Sequence, residues 1–303
     1  MRLLEHRLLV VVGKGGVGRT TCALALALSA AELGKRVLVA ELGGTDHLTR
    51  ALGVEGPSYA PRTVAPGVDV MSLDAMHCLS DFGRRKLRLN RLVSLVLRSR
   101  IVKSFIDAVP GLHDLLQLGK IENLLNEPTA EDTKYDLCVL DAPATGHGVT
   151  LLVGARSMRE MTRVGPFSDL ARVIETFLSG PDCGIVPVTL LEGLPVQETC
   201  ELIAVLESND LKVTAILANR QPADRLPDTP TWPEVRAAVG TRLPAALLAL
   251  ADDAAAARAQ HEASLASLRA AVPQTPTWVL PEVSSPTPAL PLAKALVAFM
   301  EAE

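Results

Sequence analysis

Aromatic residues are scarce: Phe, Tyr and Trp make up 3% of the 303 residues. A core built from this chain is therefore aliphatic, and stacking platforms for single-stranded nucleic acid are not expected. No excess of positive charge is present either. The formal net charge is -4, so a general attraction to nucleic acid is absent and binding there would need a local basic patch. The five cysteines are scattered, the nearest two, Cys183 and Cys200, lying 17 positions apart. A C-x-x-C pair is thus missing, and the odd count fits a reducing compartment better than a disulfide framework. No stretch reaches about 18 uncharged apolar residues, and the short apolar run after the first seven residues lacks a cleavage signal. These absences predict a soluble, cytoplasmic protein with 48% apolar and 21% charged residues, an ordinary globular balance.

What is present begins with an alternation. Apolar, β-branched runs at 8–12, 36–40, 68–73, 137–140, 185–190, 213–218 and 277–280 read as strands buried on both faces. Helix-period segments separate most of them, and the β–loop–α–β order at the start predicts an α/β fold with a parallel sheet flanked by helices. Two stretches break the alternation. Residues 79–126, interrupted at Pro110-Gly111, and 151–178, broken near Gly165-Pro166, read as helical. They are expected to form a helical subdomain inserted into one domain spanning 1–303. A proline-rich loop at 222–233 precedes an Ala-rich helix over 247–271.

The chemistry concentrates at Gly13-Lys14-Gly15-Gly16-Val17-Gly18-Arg19-Thr20-Thr21, after a strand and opening a helix. Glycines let successive N–H groups turn around phosphate oxygens, and the helix start adds free donors and a favourable dipole. Thr20 stands where a P-loop hydroxyl ligates Mg²⁺. Against G-x-x-x-x-G-K-[ST], the last lysine is Arg19. Its planar fork keeps the charge and can pair with phosphate, but it cannot simply occupy a lysine's place. A carboxylate candidate, Asp141, closes the strand Leu137-Cys138-Val139-Leu140, the arrangement that holds Mg²⁺ or its water shell.

The early Lys14 makes the loop resemble the deviant Walker-A group, which includes ParA, MinD and ArsA relatives. In that group this lysine reaches across a dimer interface to the partner's phosphates. Asp141-Ala142-Pro143-Ala144-Thr145-Gly146-His147 is similar to the switch II segment of the ArsA family and of the tail-anchored-protein targeting ATPases. Within it, His147 is implied to sense γ-phosphate. Glu192, in Leu191-Glu192-Gly193-Leu194, matches a glutamate that approaches nucleotide across the dimer, and Asn219 matches the adenine-reading asparagine. Pro110-Gly111-Leu112 with Leu118-Gly119-Lys120 resembles a helical-domain element of the same family. The resemblance implies ATP and Mg²⁺ as ligands and a homodimer or a heterodimer with a paralogue.

Departures matter as much. Where the family carries a water-positioning aspartate in switch I, this chain reads Gly43-Gly44-Thr45-Asp46. Glu41 and Asp46 flank the gap and either substitute for it or simply serve the strand end and the next helix. Losing that carboxylate and the loop lysine predicts slow hydrolysis. The C-x-x-C of the dimer zinc and the cysteine trio of arsenical binding are both absent, so the cysteines read as buried fillers. Between 84 and 103 stand eight basic residues and no acidic one, with Leu89, Leu92, Val93 and Val96 at helical spacing. This amphipathic run is a solvated face over a packed stripe, or a contact for anionic lipid, an acidic partner or a client. Met158 and Met161 lie either in a client groove or in the core. The expected function is an ATP-driven dimeric switch moving a helical cargo site. The alternatives are a non-hydrolysing nucleotide-binding subunit beside an active paralogue, and a ParA/MinD-like positioning factor on membrane or DNA.

Overall fold

The computed structural model describes residues 3–43, 46–54, 56–86, 104, 108–126, 134–143, 145–161, 164–222, 231–240, 242–285 and 287–302, with the side chains of 86, 145–147, 161 and 302 excepted. Among them, eight strands form one sheet. They are β1 (Leu8–Gly13), β2 (Val37–Leu42), β3 (Arg62–Ala65), β4 (Val68–Leu73), β5 (Leu137–Asp141), β6 (Cys183–Leu190), β7 (Ile216–Gln221) and β8 (Thr277–Pro281). Their order is β3–β4–β2–β5–β1–β6–β7–β8. Every neighbouring pair is parallel except β3 with β4. The chain is therefore α/β, as its alternating pattern predicts.

Each expected strand is found, with small shifts at the ends. β3 is the addition, an edge strand without a buried residue. It forms because Pro66-Gly67, with Gly67 at φ +75°, supplies the turn that sends the chain back as β4. β7 starts late. Ile185 and Val213 form only an isolated bridge, and continuous β6–β7 pairing begins at Val188 with Leu217.

Side-chain alternation splits the sheet into two faces. Leu8, Val10, Val12, Leu38, Ala40, Leu140 and Ile185 face one helical layer. It contains α3 (Ala75–Lys86), α4 (Leu112–Asn126), α5 (Thr145–Met161) and α6 (Pro166–Ser179). These four helices pack on one another and share a single apolar cluster with the sheet face. The break between α5 and α6 falls at Gly165-Pro166, with Pro166 in the first turn of α6, where proline's missing N–H costs nothing. Met158 is buried in this layer. On the opposite face Leu9, Val11, Val37, Val39 and Val139 pack beneath α1 (Arg19–Glu32) and α10 (Ala289–Ala302). The remaining helices are α2 (His47–Leu52), α7 (Gly193–Ser208), α8 (Trp232–Val239) and α9 (Ala245–Ala271). Of the basic run, residues 87–103 lie outside the described residues, as does 223–230 of the proline-rich loop. Among the described residues no helix is long and apolar enough to cross a membrane.

A buried histidine ties the N-terminal strand to β6. His6 Nδ1 lies 2.8 Å from the Pro181 carbonyl and Nε2 lies 3.2 Å from Thr214 Oγ1. The first contact suits a donating Nδ1–H and the second an accepting Nε2, which together describe a neutral ring. Burial is the main cause lowering its pKa, with nearby Lys212 and the N-terminus adding to it, while the Pro181 bond and Glu5 oppose. In this window the unfolded chain accepts a proton that the fold refuses, so the stability from neutral His6 is full above about 6.5 and declines as pH falls below it. Urea unfolding midpoints should therefore drop between pH 7.5 and 5.5, and His6→Gln should flatten that slope. An equal slope in the variant would exclude His6 as its origin.

Candidate functional site

The parallel strands deliver their C-terminal ends to one edge, and the residues singled out in the sequence gather there. β1 ends at Gly13, residues 14–18 form the loop, and α1 starts at Arg19. Gly18 is the residue before the helix, with φ +92°. A Cβ on it would stand 2.4 Å from Asn219 Nδ2, so only glycine meets both the backbone angle and the approach of Asn219. That amide donates to the Val17 carbonyl at 2.8 Å, and both residues are buried. Asn219 thus anchors the loop to β7. It can do so because β7 is irregular: the β7–β8 register shifts between Ala218 and Gln221, and Arg220 has φ +58°. A bulge of this kind re-aims the side chain beside it. Arg220 was not among the sequence candidates, since nothing in its local pattern marks a bulge.

Thr20 and Asp141 meet. The Thr20 hydroxyl donates to Asp141 Oδ2 at 2.6 Å. Asp141 is 7% exposed, and its Oδ1 is buried without a hydrogen-bond partner among the described residues. Burial raises the Asp141 pKa; the Thr20 bond and the nearby Arg19 charge work in the opposite direction. A buried carboxylate oxygen without a donor is costly unless a cation accompanies it. Because Thr20 spends its proton on Asp141, its own lone pairs stay available. The pair consequently fits Mg²⁺, one hydroxyl and one carboxylate leaving room for water and phosphate oxygens.

Arg19 lies beside this pair and donates to the Ala142 carbonyl. Its pKa is lowered by partial burial and supported by Asp141. The guanidinium thus bridges the start of α1 to the chain leaving β5. Gly15 and Gly16 form the exposed crest of the loop. Thr21 sits one residue deeper, bordering a cavity of about 170 Å³ together with Leu24, Ala51 and Leu290.

Lys14 pairs with Glu198 of its own chain at 2.9 Å. Glu192 is exposed at the residue preceding α7 and makes no capping bond there. The carboxylates flanking the switch I gap are both occupied with α2. Glu41 is buried, and its Oε2 accepts the Leu48 N–H at 3.1 Å. Asp46 precedes the helix and pairs with Arg50 at 2.8 Å. Gly44 and Thr45 lie outside the described residues, and so does the side chain of His147, whose backbone belongs to the first turn of α5.

The cysteines do not join the site. Four are buried and Cys200 is partly so. Burial pushes the thiols of Cys22, Cys78 and Cys183 up to about 12, which makes them fillers rather than ligands. Among the described residues no three His, Cys, Asp or Glu side chains gather into a metal-binding group.

With this geometry in view, comparison with known proteins is informative. The family model described as "Anion-transporting ATPase" (ArsA_ATPase) matches residues 6–165, just over half of the chain. ATPase BagA of Mycobacterium tuberculosis is 31% identical over 225 residues, which cover 72% of this chain and 66% of that protein. ATPase GET3 of Kluyveromyces lactis is 24% identical over 251 residues, 71% of this chain and 72% of the other. An ATPase ASNA1 homolog of Entamoeba histolytica is 24% identical over 251 residues, 69% and 75% respectively. The chain thus spans slightly less than two thirds of the mycobacterial relative's length.

The buried carboxylate of Asp141, with Oδ1 unpartnered among the described residues, generates a paired prediction. Asp141→Asn removes a buried charge and should raise the melting temperature of the nucleotide-free protein, by about 2–4 °C. The same change should erase any further thermal shift on adding Mg²⁺ with ATP. A variant that melts lower and still responds to Mg²⁺ would contradict this account of the site.

Proposed function

We propose, from the premise that this chain belongs to the ArsA family of anion-transporting ATPases, that it binds Mg-ATP at this sheet edge and acts as a two-subunit switch. The observation that carries the reading is the Thr20–Asp141 hydrogen bond with its unpartnered carboxylate oxygen. It supports a cation site at the mouth of a phosphate loop. In this reading the N–H groups of Gly13, Gly15, Gly16, Val17 and Gly18 receive the phosphates, with Thr20 and Thr21 at the start of α1. Thr20 and Asp141 hold Mg²⁺, which neutralises phosphate charge when bound.

Arg19 then exchanges the Ala142 carbonyl for a phosphate oxygen, a stronger, charge-assisted partner. This frees the chain between β5 and α5, the segment whose motif the family uses as switch II. Asn219 reads adenine while its amide keeps the loop in place. Lys14 leaves Glu198 and reaches the nucleotide of the second subunit, and Glu192 approaches it from the same side. The Lys14–Glu198 pair is partly exposed, Lys14 at 48% and Glu198 at 27%, so its release costs on the order of 1 kcal/mol. Nucleotide state is conveyed to a helical subdomain formed around α3 to α6. There a groove of about 280 Å³ among α3, α4 and α6, lined by Phe82, Leu170 and Val173 but also by Glu122, Asn123 and Asp169, suits an amphipathic client segment.

A second reading is favoured by one observation. Gly43, in the place of the family's aspartate, has φ +83°, and the carboxylates on either side are engaged with α2. A subunit that binds ATP without hydrolysing it, paired with an active paralogue, fits this arrangement.

Calorimetric titration and phosphate release separate the two readings. The wild type should bind ATP in a Mg²⁺-dependent manner, and Thr20→Ala should weaken Mg-ATP binding by roughly tenfold or more. Turnover should be slow, and Arg19→Lys should raise kcat by at least about tenfold, in line with the size of a single charge-stabilising contact. If wild type and Arg19→Lys both bind without releasing phosphate, the non-hydrolysing reading holds. Absence of ATP binding in the wild type removes both.

A further inference from the structure

Helix α9 is longer than the body it packs on. Its 27 residues span roughly 40 Å, against roughly 24 Å for the 16 residues of α7. The two helices run side by side in the same direction. α7 leaves the nucleotide edge directly after β6, and α9 descends from that edge to enter β8, which lies parallel to β7. Near the lower end Leu268 packs in one cluster with Ile203 and Val196 of α7. α9 is thus longer than α7 by 11 residues, roughly 16 Å, and its N-terminal turns project toward the edge that carries Lys14, Glu192 and Asp141.

This projection has two faces. One is covered by α8. Trp232 Nε1 donates to Asp252 at 2.8 Å, Arg236 pairs with the same carboxylate at 3.1 Å, and Leu248, one turn earlier, is buried. The other face is a row at spacings of three and four, Leu247, Leu250, Ala254 and Ala257, all exposed, with exposed Leu243 just ahead of the helix. The row continues down the helix to Ser264 and Leu268, the positions buried against the body. The same stripe is thus a packing face where α7 lies beside it and bare where α7 has ended. Leu247 is 52% exposed and Leu250 66%, and Leu194, in the first turn of α7, is also 66% exposed.

We propose that this bare row is a contact between two copies of the chain, a clasp that closes over the nucleotide edge. The inference rests on the two-subunit reading above. A second copy is the occupant for two reasons. The row borders the edge where that reading brings the two loops together, one turn of α7 separating Leu194 from the Glu198 that holds Lys14. It is also too small to hold a partner by itself. Three leucines fall far short of the roughly 1,200 Å² that a stable interface buries, so the row extends a larger contact. Two-fold symmetry then uses the row twice, once from each arm.

The full-length chain tests this by sedimentation velocity with and without Mg-ATP. A Leu247→Asp, Leu250→Asp double variant should weaken nucleotide-dependent dimerisation by at least about tenfold. Its circular dichroism and the Mg-ATP affinity of the dilute monomer should be unchanged, because neither residue is buried. Leu250→Cys should form an oxidative cross-link between copies only with Mg-ATP present, whereas the wild type forms none. A dimer of unchanged affinity in the double variant, without cross-linking in the cysteine variant, would overturn the clasp. If Lys14→Ala still weakens that dimer, the two-subunit reading survives alone. A wild type that binds Mg-ATP and stays monomeric discards both.

Discussion

Everything at the nucleotide edge depends on the pairing of β1 with β5 on one side and β6 on the other, both parallel. Parallel pairing sends every strand end, and every loop that follows, to the same edge. It fixes Val11 opposite Asp141 and Gly13 opposite Val188, so the glycine-rich loop emerges between the Asp141 carboxylate, proposed to hold Mg²⁺, and the strand that leads to Glu192. α1, starting six residues after Gly13, then lies above β5, and Thr20 comes within 2.6 Å of Asp141. The three strands are buried on both faces, which is why their sequences read as nearly uninterrupted apolar runs. The site inherits its geometry from that core.

How much of this was legible depends on which physical signal encodes it. Strand positions follow from apolar runs, and those are local. The α5–α6 break follows from Gly165-Pro166, and the phosphate loop from glycine spacing, which are local as well. What escaped was encoded by distant partners. β3 exists through its turn and its pairing with β4, not through an apolar pattern of Arg62-Thr63-Val64-Ala65. The role of Asn219 in holding Val17 joins residues 202 positions apart, and it requires a bulge at Arg220 that no nearby residue announces. The Lys14–Glu198 pair and the Arg19–Ala142 bond are likewise contacts across the chain. The sequence motif brings Lys14 and Arg19 to the two ends of one glycine-rich turn without revealing what they touch.

In the proposed function, nucleotide binding and the positioning of an attacking water draw on different elements. The proposed binding draws on the loop, α1, β5 and β7, where Thr20, Asp141 and Asn219 are buried or held by hydrogen bonds. Positioning an attacking water draws on the end of β2, where Gly43 turns through φ +83° and leads into α2. There each carboxylate already serves α2: Glu41 through Oε2 on the Leu48 N–H, and Asp46 on Arg50. Redirecting Glu41 toward a phosphate would leave the α2 backbone donor unsatisfied in a buried setting, at a cost of about 1–3 kcal/mol. An aspartate at 43 would have to adopt a left-handed backbone, which costs a further 1–2 kcal/mol or so. Placing a water-positioning carboxylate at this end of β2 therefore carries a structural cost of its own, which fits slow turnover and leaves room for a group supplied by a second chain.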